Sequence, residues 1–225
     1  MQVMMPKPQR SSKEIEAVRE DILGHALDLI VQEGFNSFSM RKLAARLGIA
    51  AKTIYNYYRN QDELYLCILT KGFEQLYAAF DRAVRTSPSP SAQLEAAIRA
   101  YVAFGLDNPH IYNLMFTWHV PKYNDYVGTP MEKAASRELT AALKCSDLFM
   151  GVIDARLNKD SEVTEDVLRF EMIQIWSQMH GYVSGVNNTL LNYMHETPLA
   201  LQERIIERLV ANTEQALREI DRKNA

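Results

Sequence analysis

Glycine is scarce in this chain, nine in 225 residues, and the two-residue alternation of apolar and polar side chains that marks a strand is weak. That leaves little material for sheets, and the many apolar residues three and four apart point to an all-α protein. Cysteine is scarcer: Cys67 and Cys145 each sit in an apolar helical stretch without metal or redox spacing, which excludes a disulfide framework and a thiolate metal site. The longest uninterrupted apolar run, LYLCIL from Leu64 to Leu69, is too short to cross a bilayer, and the N-terminal MQVMMPKPQRSSKE lacks the apolar core of a signal peptide. A cytoplasmic protein with no membrane partner is the expectation. Catalytic signatures are missing too. There is no HExxH, phosphate loop or nucleophile elbow, and His110, His119 and His180 have no paired carboxylate signature, so an enzyme ranks behind a binding protein. No metal or cofactor is expected.

One further absence is local. From Gly34 to Gln61 there is no Asp or Glu, while Arg41, Lys42, Arg46, Lys52 and Arg59 all fall in that window; the net charge of −3 therefore leaves −8 on the rest of the chain. A basic window in an acidic protein marks a local contact with a polyanion.

What is present reads as a series of helices. Ile15, Val18, Ile22, Leu23, Ala26, Leu27 and Ile30 share one face of a first helix over 14–33, with Ser11 or Ser12 as cap and Gly34 at its stop. Ser39 caps a short helix of Met40 to Leu47, and Gly48 ends it where a positive φ is free of strain. A third short helix follows, and Asn60 with Glu63 starts a fourth, whose apolar face is Leu64, Ile68, Phe73, Leu76 and Phe80. Beyond the break RTSPSPSAQ, four capping residues precede proline, at Ser89-Pro90, Asn108-Pro109, Thr129-Pro130 and Thr197-Pro198. Proline suits the first helical position, where an N–H has no partner to lose. With LNKDSEVTED as a polar loop, they predict helices near 90–106, 109–119, 130–157, 163–185 and 198–222.

Two short helices about a glycine turn, backed by a longer one, form a helix-turn-helix pattern, whose second helix enters the major groove. On the third helix Ala51, Ile54 and Tyr58 share one side, while Lys52, Thr53, Asn56 and Tyr57 share the other. The first side seals the fold. The second offers a cation, a hydroxyl, an amide and a phenol to phosphates or base edges, with Tyr55 on the border. The stretch FSMRKLAARLGIAAKTIYNYYRNQDEL resembles the DNA-binding signature of the TetR family of bacterial transcriptional regulators, over roughly Ile22 to Leu69. The resemblance implies that Ala51 to Tyr57 lies in the major groove, with Thr53, Tyr55 and Tyr57 among the backbone contacts, and Tyr57 in a place often held by His. Ala50 replaces a common Ser, Lys52 a common Gly, and Gln61 stands where a Lys usually meets a phosphate. Ser39, Arg41, Lys52, Thr53, Tyr55, Asn56, Tyr57 and Gln61 are the expected DNA-binding residues. The helix-turn-helix domain is placed at 12–60 and a ligand-binding and dimerisation domain at 61–222.

A helix-turn-helix gains affinity by doubling, so a homodimer on a palindromic double-stranded operator is expected. Ile206, Leu209, Leu217 and Ile220 form a stripe on the last helix, and Phe170, Ile173, Met179 and Val183 belong to a broad apolar face on the helix before it. Two such helices from each subunit can make a four-helix bundle; the same stripes serve equally to close the core of one chain. Tyr101, Phe104, Tyr112, Met115, Phe116 and His119, with Trp176 and His180 of IWSQMHGYVSG, are dense enough in aromatic and thioether groups for an adaptable apolar cavity. They resemble the ligand-binding domain of a TetR subgroup named for a Trp and a His-Gly pair, which implies a small apolar or aromatic ligand. The reading is a repressor released by that ligand, with the fourth helix as lever; the alternative is an architectural or assembly protein whose cavity is plain core.

Overall fold

The computed structural model describes residues 11–157 and 163–223; the N-terminal ten residues and the middle of the polar loop LNKDSEVTED lie outside the described residues. The chain forms two compact units, and the division falls inside one helix, between Ile68 and Leu69; the sequence expectation put it at that helix's first residue, Gln61. Among the described residues all regular structure is helical, as expected, and no helix is long and apolar enough to cross a membrane.

In the first unit, α1 (Ser12–Glu33) starts with a capping box. The Glu14 N–H donates to Ser11 Oγ, and the Ser11 N–H donates to the Glu14 carboxylate. A 3₁₀ turn, Phe35–Ser37, leads to α2 (Met40–Leu47), capped by Ser39 Oγ, which accepts from the Lys42 N–H. Gly48 then turns the chain at φ 65°, ψ 28°, a left-handed conformation in which a Cβ meets the carbonyl oxygen. This turn aims α3 (Ala51–Tyr55) away from α2. No side chain caps α3, because Ala50 stands at the position where a hydroxyl would serve. Asn60 Oδ1 accepts from the Glu63 N–H at 2.8 Å and starts α4 (Gln61–Arg85). Ile22, Ala26, Ile30, Leu43, Ile54, Tyr58 and Leu64 fill the core between these helices. Each buried Ile or Leu among them contributes about 1.5–3 kcal/mol by leaving water.

The second unit holds the rest of α4 and α5 (Pro90–Asp107), α6 (Pro109–Tyr112), α7 (Tyr123–Tyr126), α8 (Glu132–Arg156), α9 (Glu165–Asn187) and α10 (Gln202–Lys223). α5 packs against both α8 and α9, and α10 packs against α5. Gly105 lets α5 approach α9 and α6 closely: a Cβ there would lie 2.5 Å from Val183 and 2.8 Å from the Tyr112 ring. The four X-Pro sites diverge in use. Ser89 Oγ caps α5 by accepting from the Ala92 N–H. Asn108 serves the helix behind it instead, its Nδ2 donating to Phe104 O, and Thr129 donates to Tyr126 O in a turn, so that α8 starts only at Glu132. Thr197-Pro198 opens a 3₁₀ turn, Pro198–Leu201, ahead of α10. The expected helix over 109–119 is α6 followed by a π-helical turn, Asn113–Thr117. Asn113 is buried there, and its amide exchanges hydrogen bonds with that of Asn188 beyond α9, at 3.3 Å each.

Candidate functional site

The outward side of the first unit is built from the basic window. Three of its five cations are neutralised by carboxylates that folding brings from outside it: Lys42 pairs with Glu33, Arg46 with Asp28, and Arg59 with Glu63. Arg41 and Lys52 are exposed and, among the described residues, meet no carboxylate. The two free cations stand on α2 and α3. Asn56 is exposed, as is Tyr55 at 49%, while Thr53, Tyr57, Ser39 and Gln61 are half-buried. Ile54 and Tyr58 are the inward side. The helix proper ends at Tyr55, with Asn56 as its C-cap, so Asn56 and Tyr57 project from the turn after α3 and not from a continuing helix.

That turn is held by a residue the sequence reading passed over. Arg19 of α1 donates from Nη1 to the Tyr57 carbonyl at 2.8 Å, its guanidinium lies 4.5 Å from the centre of the Tyr58 ring, and the Tyr58 hydroxyl donates back to the Arg19 carbonyl at 3.2 Å. A charge-assisted hydrogen bond and a cation–π contact thus lock the end of α3 to α1. Burial raises the Tyr58 pKa, so this hydroxyl keeps the proton it donates. A lone Arg on an amphipathic helix gives no sequence signal for such a clamp, since its partners are almost forty positions away.

In the second unit, α4, α8 and α9 enclose a cavity of about 250 Å³, lined by Phe73, Leu76 and Phe80 from α4, Tyr101 from α5, Phe116 from the π turn, Ala142, Leu143, Cys145, Ser146 and Phe149 from α8, and Met172, Trp176 and Met179 from α9. Of the expected ligand-binding residues, Tyr101, Phe116 and Trp176 reach it. Tyr112 and His180 stand behind them: the Tyr101 and Tyr112 hydroxyls are 3.0 Å apart, Tyr112 Oη is 2.7 Å from His180 Nδ1, and the His180 ring stacks on Trp176 at 4.8 Å. Met115 packs its sulfur over Gly72 instead, Phe104 is buried in the core outside the lining, and His119 is exposed. The α4 liners were legible as one helical face; the α8 set was not singled out, because its stripe is interrupted by polar residues.

The polar atoms around the cavity are already engaged. The Cys145 thiol donates to Phe73 O at 3.3 Å, with burial pushing its pKa up to about 12, and Ser146 Oγ donates to Met172 Sδ at 3.1 Å. Burial raises both tyrosine pKa values and lowers that of His180, so the chain Tyr101–Tyr112–His180 shares its two hydrogen bonds without charge. What faces the cavity is hydrocarbon and ring.

The residues expected at a subunit interface separate into two groups. Met179, Val183, Ile206, Leu209 and Leu217 are buried in the chain's own core, each under 5% exposed, and Met179 lines the cavity; they are corrected to core positions. Ile220 is half-buried, whereas Phe170 and Ile173 are 56% and 53% exposed. α10 has one apolar stripe and spends it inward, with Glu203, Arg204, Glu207 and Arg208 outside. α9 is apolar on both sides.

A three-helix module presenting α3, followed by a helical unit with an apolar cavity, defines a helix-turn-helix transcriptional regulator. Residues 22–68 match the sequence model of the bacterial regulatory proteins of the tetR family, and residues 94–212 match that of the tetracyclin repressor-like C-terminal domain. The chain belongs to the TetR family. It is 28% identical over 135 residues to the HTH-type transcriptional activator FasR of Mycolicibacterium smegmatis, an alignment covering 60% of this chain and 58% of that protein. The chain thus spans less than two thirds of that relative's length. The putatively regulatory protein SCO4313 shares its fold at a TM-score of 0.69 and 19% identity, covering 90% of this chain and all of that one. The Bacillus subtilis regulator FadR, solved in complex with stearoyl-CoA, does so at 0.62 and 14%, covering 85% of this chain and 97% of that one.

Proposed function

We propose that the chain is a homodimeric repressor that binds a palindromic operator through α3 and is released from it by a small apolar ligand held in the cavity. The observation that carries the DNA-binding part is that Arg41 on α2 and Lys52 on α3 are exposed and meet no carboxylate among the described residues, in the unit that also exposes Tyr55 and Asn56, while Lys42, Arg46 and Arg59 of the same window are paired with carboxylates. Lys52 and Asn56 are suited to base edges; Tyr55, Tyr57, Thr53, Ser39 and Gln61 to phosphates. The dimer forms through the outward face of α9, where Phe170 and Ile173 stand. FasR is named an activator, so the sign of regulation at a promoter follows from where the operator lies.

α4 starts at Gln61 in the DNA-binding unit and supplies Phe73, Leu76 and Phe80 to the cavity. A ligand that prefers one placement of α4 shifts the population toward it, and because sensing and operator binding share that equilibrium, ligand and operator weaken each other. The decisive experiment is a mobility-shift titration on an inverted repeat upstream of the gene itself or a neighbour. Tyr57→Ala should weaken binding to every sequence, whereas Asn56→Ala and Lys52→Ala should in addition flatten base preference at their positions by about 1–3 kcal/mol. Equal operator affinity for wild type and all three variants would falsify the placement of α3 in the groove.

A further inference from the structure

α3 is five residues long, Ala51–Tyr55, and no side chain caps its start. A helix that short does not hold itself in water, since nucleation costs more than its few hydrogen bonds return. Its own bonds run out at once. The Asn56 N–H donates to Thr53 O at 3.3 Å, and the Tyr57 and Tyr58 N–H groups share Ile54 O at 2.9 and 3.0 Å. The direction in which Asn56 and Tyr57 leave the turn is therefore set by what grips that turn from other helices.

Two charged side chains grip its backbone. Glu63 of α4 accepts from the Arg59 N–H at 2.6 Å, at the far end of the turn. Arg19 of α1 holds the peptide that links Tyr57 to Tyr58 on both sides: Nη1 donates to the Tyr57 carbonyl at 2.8 Å, and the guanidinium carbon lies 4.5 Å from the centre of the Tyr58 ring. The Tyr58 hydroxyl closes the circuit by donating to the Arg19 carbonyl at 3.2 Å. A guanidinium can meet a carbonyl with one N–H while resting on a ring; an ammonium is a single point of charge and does not do both. Glu16 stands 3.8 Å from Arg19 Nε, so Arg19 differs from Arg41 and Lys52 in having a carboxylate beside it.

We propose that Arg19 is a positioning residue for operator recognition: by fixing the Tyr57 carbonyl it orders the turn after α3 before DNA arrives, and so sets the base preference read by Asn56 without touching DNA. This rests on the placement of α3 in the groove under the proposed function. Ordering the turn only on the DNA would be subtracted from affinity, and a side chain that reads a base edge tolerates about 0.5 Å of misplacement.

The test is a mobility-shift titration of the full chain on an inverted repeat upstream of the gene or its neighbour, with hydrogen exchange of the DNA-free chain alongside. Arg19→Gln should weaken operator binding about tenfold or more and flatten base preference at the positions that Asn56→Ala also relaxes, with the salt dependence of affinity unchanged. Arg19→Lys keeps the charge without the geometry and should recover only part of that loss. Tyr58→Phe, which loses the return hydrogen bond alone, should give the smallest effect in the same direction. In the free chain, exchange at the Tyr57 and Tyr58 amides should quicken about tenfold in Arg19→Gln, while that of Ala26 and Ile30 in α1 stays slow. If Arg19→Gln does not fold, Arg19→Lys and Tyr58→Phe carry the same comparison. A salt dependence that falls by about one phosphate in Arg19→Gln, with full affinity restored in Arg19→Lys, makes Arg19 a direct phosphate contact and overturns the proposal. Lower stability with base preference intact overturns it too, leaving Arg19 a structural residue. Wild-type affinity and preference in every variant overturn the positioning role while leaving α3 in the groove. A wild type that binds no inverted repeat removes the DNA-binding reading itself and this proposal with it.

Discussion

α9 and α10 are packed in the same unit, and their surfaces are divided differently. α10 turns Ile206, Leu209 and Leu217 inward and a dense row of Glu and Arg outward, and it is anchored by ion pairs from Arg156 to Glu214 and from Arg99 to Glu203. α9 buries Ile175, Met179 and Val183 yet still shows Phe170 and Ile173 to solvent. A helix with one apolar stripe has only a core to serve. A helix with two stripes has material for a core and for a partner, and the uncharged second stripe is the informative one.

The contrast can be broken at its strongest point first. Leu217→Ala on α10 should destabilise the chain by about 2–5 kcal/mol in urea unfolding, because it removes a fully buried side chain and leaves a hole. A loss under about 1 kcal/mol would show that α10 is not core. Next in size is Arg156→Ala, which removes the bidentate partner of the Glu214 carboxylate, only 14% exposed, and leaves it Arg218 at 3.7 Å; the change should cost about 1–3 kcal/mol.

Acid should then separate the two helices. On α9, burial holds His180 below its ordinary 6.5, so the native state favours the neutral ring; its contribution is complete above pH 6.5 and is lost as pH falls through the region beneath. On α10, hydrogen bonding from Arg156 holds Glu214 below its usual 4.5 against the opposing effect of burial, so that contribution persists to lower pH and is lost only below 4.5. Stability against pH should therefore fall in two steps. His180→Phe should abolish the upper step and Glu214→Gln should shrink the lower, to which Glu63 and Glu203, also held below 4.5 by their arginines, contribute; a variant pair that alters the same step would contradict the separate origins. The smallest effect on the folded chain is expected for Phe170→Ala, within about 0.5 kcal/mol of wild type when unfolding is followed at a protein concentration where the chain is monomeric. Its consequence should appear as weaker subunit association, seen by sedimentation.

Local features were legible from residue order. Ser39 and Gly48 fixed the start and stop of α2, Asn60 and Glu63 the start of α4, and Ile54 and Tyr58 the inward side of α3. Each depends on interactions within four or five residues. The acid-free window was legible too, but not its outcome, because Asp28, Glu33 and Glu63 come from α1 and α4 to meet three of its cations. Likewise no spacing distinguishes Asn108, which closes α5, from Ser89, which opens it. The ligand-binding set shows the same limit. Aromatic density located the region, yet it could not say that His119 is exposed and Tyr112 turns its hydroxyl to His180 while Phe73 and Phe149 face the cavity.

What the residue order alone determined is the helical class, the succession of helices, the helix-turn-helix and its family, because caps, turns and the 3.6-residue period act over a few neighbours. Only the tertiary structure decided which face of α9 and of α10 is core, which cations remain without a carboxylate, how Arg19 holds the turn after α3, and which residues line the cavity. The Arg19 clamp joins residues almost forty positions apart and the cavity draws on helices from α4 to α9, while the cation pairs, though nearer in sequence, need α1, α2 and α4 to be placed first; an amphipathic stripe specifies that it will be covered without specifying by what.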